Sequence, residues 1–194
     1  MEITMEQLKN RILSDAKIKN GNIIKVDGFI NHQIDINLMN EIGKEFKSLF
    51  GGEDITKIIT IEASGIAVAC LTALQFNVPV VFAKKSESKN IDGEVYKTLV
   101  TSYTRGKEYT VILEKRHLTS DDRVLIIDDI LATGKAQRGL LDISNQAGAE
   151  VAGIGIVIEK GFQGGGDKLR GAGYNVQSLA IIESMENDKI TFRD

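Results

Sequence analysis

Hydrophobic residues follow two different spacings along the chain, and the two spacings alternate. Continuous runs rich in β-branched residues predict buried strands at 57–61, 78–83, 123–128 and 151–158, and a weaker strand at 177–182. Hydrophobic residues at helical spacing predict helices at 1–13, 37–50, 65–76 and 135–147. Strands that alternate with helices indicate βαβ units, and hydrophobic runs without polar alternation indicate strands covered on both faces. The pattern therefore predicts an α/β fold with a mostly parallel, doubly wound sheet, in a single domain over 1–194.

Residues 84–119 interrupt this alternation. The stretch opens with a charged segment at 84–93, and two β-like pieces at 95–102 and 109–113 flank a basic turn at 104–107. These features predict a long hairpin inserted into the α/β core. Such a hairpin can serve as a protruding arm for dimerisation or as a mobile flap over a binding site, and both interpretations stay open. Near the start of the chain, 23–30 predicts a short strand or an extended arm.

Composition and charge narrow the classes of function. Of the 194 residues, 42% are hydrophobic and 26% are charged, which is typical of a globular protein with a core of its own. The 24 basic and 27 acidic residues give a net charge of −3. This balance argues against a nucleic-acid partner bound through bulk positive charge, because such domains are strongly basic.

Cysteine usage and hydrophobic run length bear on location. The lone cysteine, Cys70, excludes an intramolecular disulfide and is typical of a reducing compartment, and its hydrophobic neighbours predict that it is buried. Residues 1–13 lack the hydrophobic core of a signal peptide, and no run reaches the roughly 18 hydrophobic residues of a membrane span. We therefore expect a cytoplasmic protein without a membrane partner.

The segment after the predicted strand 123–128 carries the strongest chemical signal. The strand ends in Asp128 and Asp129, and a loop of small residues then leads into a helix. Open α/β sheets bind ligands beyond the carboxyl ends of their strands, and the free N–H groups of a helix start suit a phosphate. Carboxylates suit hydroxyl groups or Mg²⁺ instead. Together these features predict a sugar-phosphate site whose phosphate contacts Ala132, Thr133, Gly134, Lys135 and Ala136.

Each of these turns also has a plainer interpretation. An ordinary turn at Asp129 is the plain alternative for the first one. Gly134-Lys135 is not a P-loop, because Asp129 occupies the position of the earlier glycine and Ala136 that of the Ser or Thr. A second strand-to-helix turn, at Ala63, Ser64 and Gly65, predicts another anion site by the same argument, although a simple turn would also explain it.

Residues 124–136 resemble the phosphoribosyl-pyrophosphate (PRPP) signature of type I phosphoribosyltransferases, with its hydrophobic strand, two acids and Thr-Gly loop. Segments at 25–35, 60–66 and 153–163 are similar to the bacterial xanthine branch of that family. The resemblance implies a type I phosphoribosyltransferase fold, with a small hood formed by 1–36 plus the C-terminal segment, and a projecting flexible loop at 84–119. It also implies a dimeric purine-salvage enzyme that joins xanthine to PRPP, with Mg²⁺ bound mainly through PRPP and pyrophosphate. The signature usually ends in Thr or Ser where this chain has Ala136, so a side-chain hydroxyl is lost there.

The resemblance also implies roles for the residues around PRPP. Asp128 and Asp129 are the expected catalytic carboxylates on the ribose hydroxyls. The turn 63–65 becomes the pyrophosphate loop, and the loop 132–136 binds the 5′-phosphate. Lys84, at the end of the strand 78–83 and next to Lys85, is expected to neutralise pyrophosphate, although a surface lysine is the plain alternative.

Residues near both ends of the chain are expected to bind the purine. Lys160 follows the strand 151–158, and an ammonium group there favours an oxygen acceptor, hence an oxopurine over adenine. Phe162 offers a stacking face, and Asn31 has both donors and an acceptor. By resemblance, Asn31 lies in the hood and Ile24 near the purine ring. The same chemistry on hypoxanthine or guanine is the nearest rival, and a PRPP-sensing transcription regulator is the rival from another class.

Overall fold

One eight-stranded sheet organises the computed structural model, which describes residues 2–19, 23–86, 94–101, 108–186 and 189–193. The strands of the described chain are β1 (Lys17–Lys19), β2 (Ile23–Lys25), β3 (Lys57–Ile61), β4 (Val80–Ser86), β5 (Val95–Thr101), β6 (Glu108–Glu114), β7 (Arg123–Leu131), β8 (Glu150–Lys160), β9 (Val176–Ser184) and β10 (Thr191–Phe192). The sheet order is β10-β9-β8-β7-β3-β4-β6-β5, while β1 and β2 form a separate antiparallel pair. The five strands from β9 to β4 run parallel, which confirms the predicted mostly parallel sheet.

Helices cover both faces of this sheet, as expected for a doubly wound fold. They are α1 (Glu2–Asp15), α2 (Ile36–Phe50), α3 (Gly65–Phe76), α4 (Lys135–Ala147) and the short α5 (Gly165–Gly171). The buried side chains form two clusters, one with α1, α2 and α3 on one face and one with α4 and α5 on the other. Asp35 caps α2, since its side chain accepts a hydrogen bond of 3.1 Å from the Leu38 amide.

The central strand β7 is longer than its hydrophobic run. We predicted a strand over 123–128, but pairing with β8 continues through Asp128, opposite Ile156, to Leu131, opposite Glu159. The two acids therefore lie within the strand rather than after it. The reason is that backbone pairing does not depend on side-chain polarity where the parallel neighbour continues.

The N-terminal part of the hood is more compact than a single arm. Only Ile23–Lys25 forms a strand in the segment predicted as 23–30, because the chain turns back at 27–30, where the Ile30 amide donates to the Val26 carbonyl. Leu8 and Ile12 of α1 are fully buried and pack against the face of the sheet that also carries Ile182. The hood thus covers one face of the sheet near β9.

The stretch 84–119 contains the predicted hairpin, formed by β5 and β6 in antiparallel register. Its strands extend the central sheet, since β6 pairs with the end of β4 and β5 packs against α4. A Cβ atom on Gly139 of α4 would lie 2.6 Å from Val100 Cγ2, so the helix approaches β5 closely. The predicted basic turn at 104–107 lies outside the described residues.

The expectation of a buried Cys70 is wrong, because this side chain is exposed. In α3 the buried side chains are Val68, Ala69, Thr72 and Ala73, and Cys70 lies with Leu74 on the opposite side of the helix. In the described part of the chain, no helix combines the length and hydrophobicity needed to cross a membrane.

Candidate active site

Two strand-to-helix turns lie side by side at the carboxyl edge of the sheet. One joins β3 to α3 and the other joins β7 to α4, and β3 and β7 are parallel neighbours. We call Ala63–Gly65 the first turn and Ala132–Gly134 the phosphate loop. The cap residues Ser64 and Gly134 make no side-chain hydrogen bond to their helices. The first N–H groups of both helices are therefore without a side-chain cap, the arrangement that suits an anion.

The phosphate loop has the backbone geometry that its sequence requires. Gly134 has a φ of 80°, in the left-handed region that glycine adopts without strain. Gly134 is buried, whereas Ala132, Thr133 and Ala136 are half-buried and Lys135 is exposed at the first position of α4. The five predicted phosphate-binding residues thus run without a break from the loop 132–134 into the first two positions of α4.

Gly65 brings the first turn against the central strand. A Cβ atom on Gly65 would lie 2.4 Å from Thr60 Oγ1 and 2.8 Å from Asp128 Oδ1. Any larger residue would separate α3 from β3 and β7. The glycine therefore places the start of α3 directly beside the Asp128 carboxyl group.

Asp128 is buried among polar partners. Its Oδ2 accepts a 2.6 Å hydrogen bond from Gln137 Nε2, and its Oδ1 accepts one of 3.0 Å from the Asp129 amide. Burial raises the pKa of Asp128 well above its usual range, the negative charge of Asp129 raises it further, and the Lys85 ammonium opposes the rise. Asp129 is half-buried at the same edge, so this carboxyl group is the more accessible of the pair.

Of the two lysines near the end of β4, Lys85 is the one that faces Asp128, and Tyr109 of β6 lies beside it, a residue that the sequence did not indicate. Lys85 Nζ lies 5.4 Å from the centre of the Tyr109 ring, and the pKa of Tyr109 is raised by burial and then by the charge of Asp128. The predicted Lys84 points to the other face of β4, where its Nζ lies 5.9 Å from the Phe82 ring. Strand alternation would have separated the two lysines, but no local pattern indicates Tyr109.

The hood contacts the first turn through Asn31. Asn31 Oδ1 accepts a 3.0 Å hydrogen bond from Ser64 Oγ, and its Nδ2 donates to Asp27 Oδ1 at 3.2 Å. This contact brings a predicted base-binding residue next to a predicted pyrophosphate-binding one. Ile24, in contrast, is a core residue of the hood with only 5% of its surface exposed.

The end of β8 places Lys160 at the same edge of the sheet. Lys160 is 6% exposed, and burial lowers its pKa. Two residues later Phe162 is exposed in a 3₁₀ turn, Gly161–Gln163, so its ring is available for stacking. The preceding Glu159 is fully buried and forms an ion pair with Arg170 of α5, an anchor that the sequence analysis did not identify.

Comparisons with known proteins agree on the family. A family model described as "Phosphoribosyl transferase domain" matches residues 30–171. A xanthine phosphoribosyltransferase of Lachnoclostridium phytofermentans is 58% identical over 97% of this chain and 98% of its own length. A xanthine phosphoribosyltransferase of Ruminiclostridium cellulolyticum is 55% identical over 98% of this chain and all of its own length.

Solved structures show the same fold at much lower sequence identity. Adenine phosphoribosyltransferase from Giardia lamblia superposes with a TM-score of 0.76 at 21% identity, covering 91% of this chain and 96% of that one. The adenine phosphoribosyltransferase from Thermoanaerobacter pseudethanolicus gives 0.73 at 22% identity, covering 91% and 98%. Taken with the close sequence relatives, these matches show that the chain belongs to the phosphoribosyltransferase family and has its type I fold.

Proposed function

We propose that this protein transfers the 5-phosphoribosyl group of PRPP to xanthine, giving xanthosine 5′-monophosphate and pyrophosphate. The observation that carries the proposal is the pair of neighbouring anion-binding turns with two carboxyl groups between them. A sugar that bears phosphate groups at both ends matches this arrangement, with one anion at each turn and the sugar hydroxyls at the carboxyl groups. The names of the close relatives support xanthine as the acceptor.

The two turns bind the two phosphate-bearing ends of PRPP. The phosphate loop and the first N–H groups of α4 hold the 5′-phosphate, with the Thr133 hydroxyl as an additional donor. Ala63, Ser64 and Gly65 hold the pyrophosphate at the start of α3. Lys85 lies beside this region and supplies positive charge to the leaving group, and Lys84 adds charge at the exposed edge of the same strand.

Asp128 and Asp129 hold the ribose between these two ends. Asp129 accepts hydrogen bonds from the ribose hydroxyls, and Gln137 fixes the orientation of Asp128 beside it. In the reaction the bond from ribose C1 to the pyrophosphate oxygen breaks, and a bond from C1 to a xanthine nitrogen forms. Positive charge develops on the ribose ring, and the neighbouring Asp129 carboxylate stabilises it. The displaced xanthine proton passes to solvent.

The residues of the site fit Mg²⁺ held mainly by the substrate. Within the described residues no group of three or more His, Cys, Asp or Glu side chains is placed to bind a metal ion. The two adjacent carboxyl groups are hard oxygen donors, the kind that Mg²⁺ takes together with substrate phosphates and water. When bound, the ion neutralises charge on the departing pyrophosphate.

Lys160 selects the purine. Because its ammonium group donates hydrogen bonds and accepts none, it favours an oxygen on the base over an exocyclic amine. Phe162 stacks on the purine face and Asn31 closes the pocket from the hood, where the buried Ile24 supports it from the core. Burial of Lys160 strengthens this preference, since a donor that is shielded from water loses more when its partner is wrong.

A purine panel tests the proposal. Xanthine, hypoxanthine, guanine and adenine are each assayed with PRPP and Mg²⁺ by following pyrophosphate release, and xanthine is expected to give the highest kcat/KM. Lys160→Met should lower kcat/KM for xanthine by about 10- to 100-fold, the effect of losing one charged hydrogen bond. Lys168→Met, at an exposed lysine of α5, is the matched control and should leave the panel unchanged. Preference for another purine, or an unchanged panel in Lys160→Met, would contradict the assignment.

We also propose that the protein acts as a homodimer, and the cytoplasmic location stays a prediction. The support for a dimer is the outer face of α3 and the adjacent β4, where Leu74 is 69% exposed and Phe82 is 37% exposed. Cys70 is exposed on the same side of α3. Exposed large hydrophobic side chains on two elements in contact, α3 and β4, are the support for covering of this face by a second copy.

A further inference from the structure

The start of α5 lies against the phosphate loop, backbone to backbone. A Cβ atom on Gly165 would lie 2.3 Å from the Ala132 carbonyl oxygen and 2.7 Å from the Gly134 amide nitrogen. Real Cβ atoms do not approach other atoms this closely. Position 165 therefore accepts a side chain only if the phosphate loop or α5 moves.

From the side of Gly134 the same two segments are in ordinary van der Waals contact. A Cβ atom on Gly134 would lie 3.5 Å from the Gly165 carbonyl oxygen and 3.6 Å from Leu169 Cδ1. Leu169 is 2% exposed, so its side chain fills the space beneath the loop. Because most of the contacting atoms belong to the backbone, rotation of a side chain cannot relieve a clash here.

Helix α5 is held firmly enough to resist displacement. Arg170 of α5 pairs with the fully buried Glu159 through both guanidinium nitrogens, at 2.7 and 3.1 Å. Asp167 of the same helix pairs with Arg193 at 3.0 Å. A side chain at position 165 would therefore displace the phosphate loop before it displaced the helix.

From this geometry we infer that Gly165 is a positioning residue for PRPP, an inference that rests on the proposed function. The absence of a side chain at position 165 lets the backbone of the phosphate loop pack closely against α5. This location aims the amides at the start of α4 towards the 5′-phosphate. Gly171, at the other end of α5, has no atom within 4 Å of its Cβ position, so the requirement is specific to the loop contact.

The test compares Gly165→Ala with Gly171→Ala in the full-length protein. For Gly165→Ala we expect KM for PRPP to rise by at least about tenfold, the loss that a mildly overpacked contact produces. KM for xanthine should change by less than about twofold, because the base-binding residues are not displaced. Gly171→Ala should match the wild type for both substrates. A change of the two KM values in equal proportion would indicate a general structural defect and would overturn the inference, as would an unchanged KM for PRPP.

A second variant covers the case in which Gly165→Ala does not fold, as judged by circular dichroism at the assay temperature. Leu169→Val shortens the side chain beneath Gly134 with a smaller loss of packing. It should raise KM for PRPP by about threefold while KM for xanthine stays within about 1.5-fold, and an unchanged ratio of the two would overturn the inference. The activity of the wild type distinguishes failure of this inference from failure of the proposed function. If the wild type releases no pyrophosphate from PRPP and xanthine, the proposed function fails; if it is active and the variants behave normally, only the positioning role fails.

Discussion

The ion pair between Glu159 and Arg170 gives a sharp prediction for stability. Glu159 is 0% exposed at the end of β8, and Arg170 binds both of its carboxylate oxygens from α5. Ser178 donates a further hydrogen bond to the same carboxylate. Replacing Arg170 with Met would leave a buried negative charge without its main partner.

The expected magnitude follows from the burial of the two groups. Breaking a fully buried pair by removing one partner costs about 3 to 5 kcal/mol. Arg170 is itself 31% exposed, so water can reach part of the site, and we take the lower end, about 3 kcal/mol. For a chain of this length, such a loss corresponds to a fall in Tm of roughly 6 to 12 °C.

A double-mutant cycle separates the interaction energy of the ion pair from the effects of the two single substitutions. Urea unfolding is followed for Arg170→Met, Glu159→Gln and the double variant. Glu159→Gln should cost only about 1 kcal/mol, because the partly exposed Arg170 stays hydrated. The double variant should lie within about 1 kcal/mol of the wild type, since it buries no unpaired charge. Arg116→Met, at an exposed surface pair with Glu114, is the control and should change stability by less than about 0.5 kcal/mol. If Arg170→Met costs no more than Glu159→Gln, the pair does not stabilise the fold as argued.

Two further predictions concern pH and assembly. Because the folded state raises the pKa of Asp128 above the ordinary value of 3.8, the folded protein holds a proton that the unfolded chain has lost, and this contribution to stability declines as pH rises. Asp128→Asn removes that decline. Its free energy of unfolding in urea, measured relative to the wild type, should therefore rise between about pH 4 and about pH 7, while its KM for PRPP increases. A difference in unfolding free energy that stays constant across that range would refute the burial argument. For the dimer, sedimentation should show a dimeric wild type and a monomeric Leu74→Glu variant, whereas Leu99→Glu, equally exposed at 69% but on β5, should stay dimeric. A monomeric wild type, or dissociation by both variants, would remove the assigned interface.

Where turn residues flank a helix or strand, its first and last residues could be predicted from the sequence. The bounds of β3, α3 and α4 agree with the predicted 57–61, 65–76 and 135–147, because hydrophobic runs there end at turn-forming residues. Helix α5 could not be predicted in this way. It begins with two glycines, which disfavour helix, and it depends on burial of Leu169 and on the ion pair of Arg170 with a distant strand.

The same distinction applies to the candidate site. The two turns proposed to bind anions are each contiguous in sequence, so they could be located from short motifs. Lys85, Tyr109 and Gln137 come to Asp128 from three other elements, through sheet register and helix packing. The contact between Asn31 and Ser64 likewise joins segments 33 positions apart. A single sequence gives no measure of such pairings, since register between distant strands is set by tertiary packing.

Glu159 and Lys160 are adjacent in sequence at the end of β8 and carry opposite charges, yet they have different structural roles. Side chains at consecutive strand positions point to opposite faces of a sheet. Glu159 points to the face of α5, where Arg170 binds it, and by this alternation Lys160 points to the opposite face. Since α5 also contacts residues 132–134, the Glu159 pair holds the side of the site to which the proposed function assigns the phosphate, while Lys160 lies on the side that it assigns to the base. If Lys160 binds the base as proposed, a shift of β8 by one residue would exchange the two faces and place a carboxylate against the oxopurine, so purine choice would depend on the register of this strand.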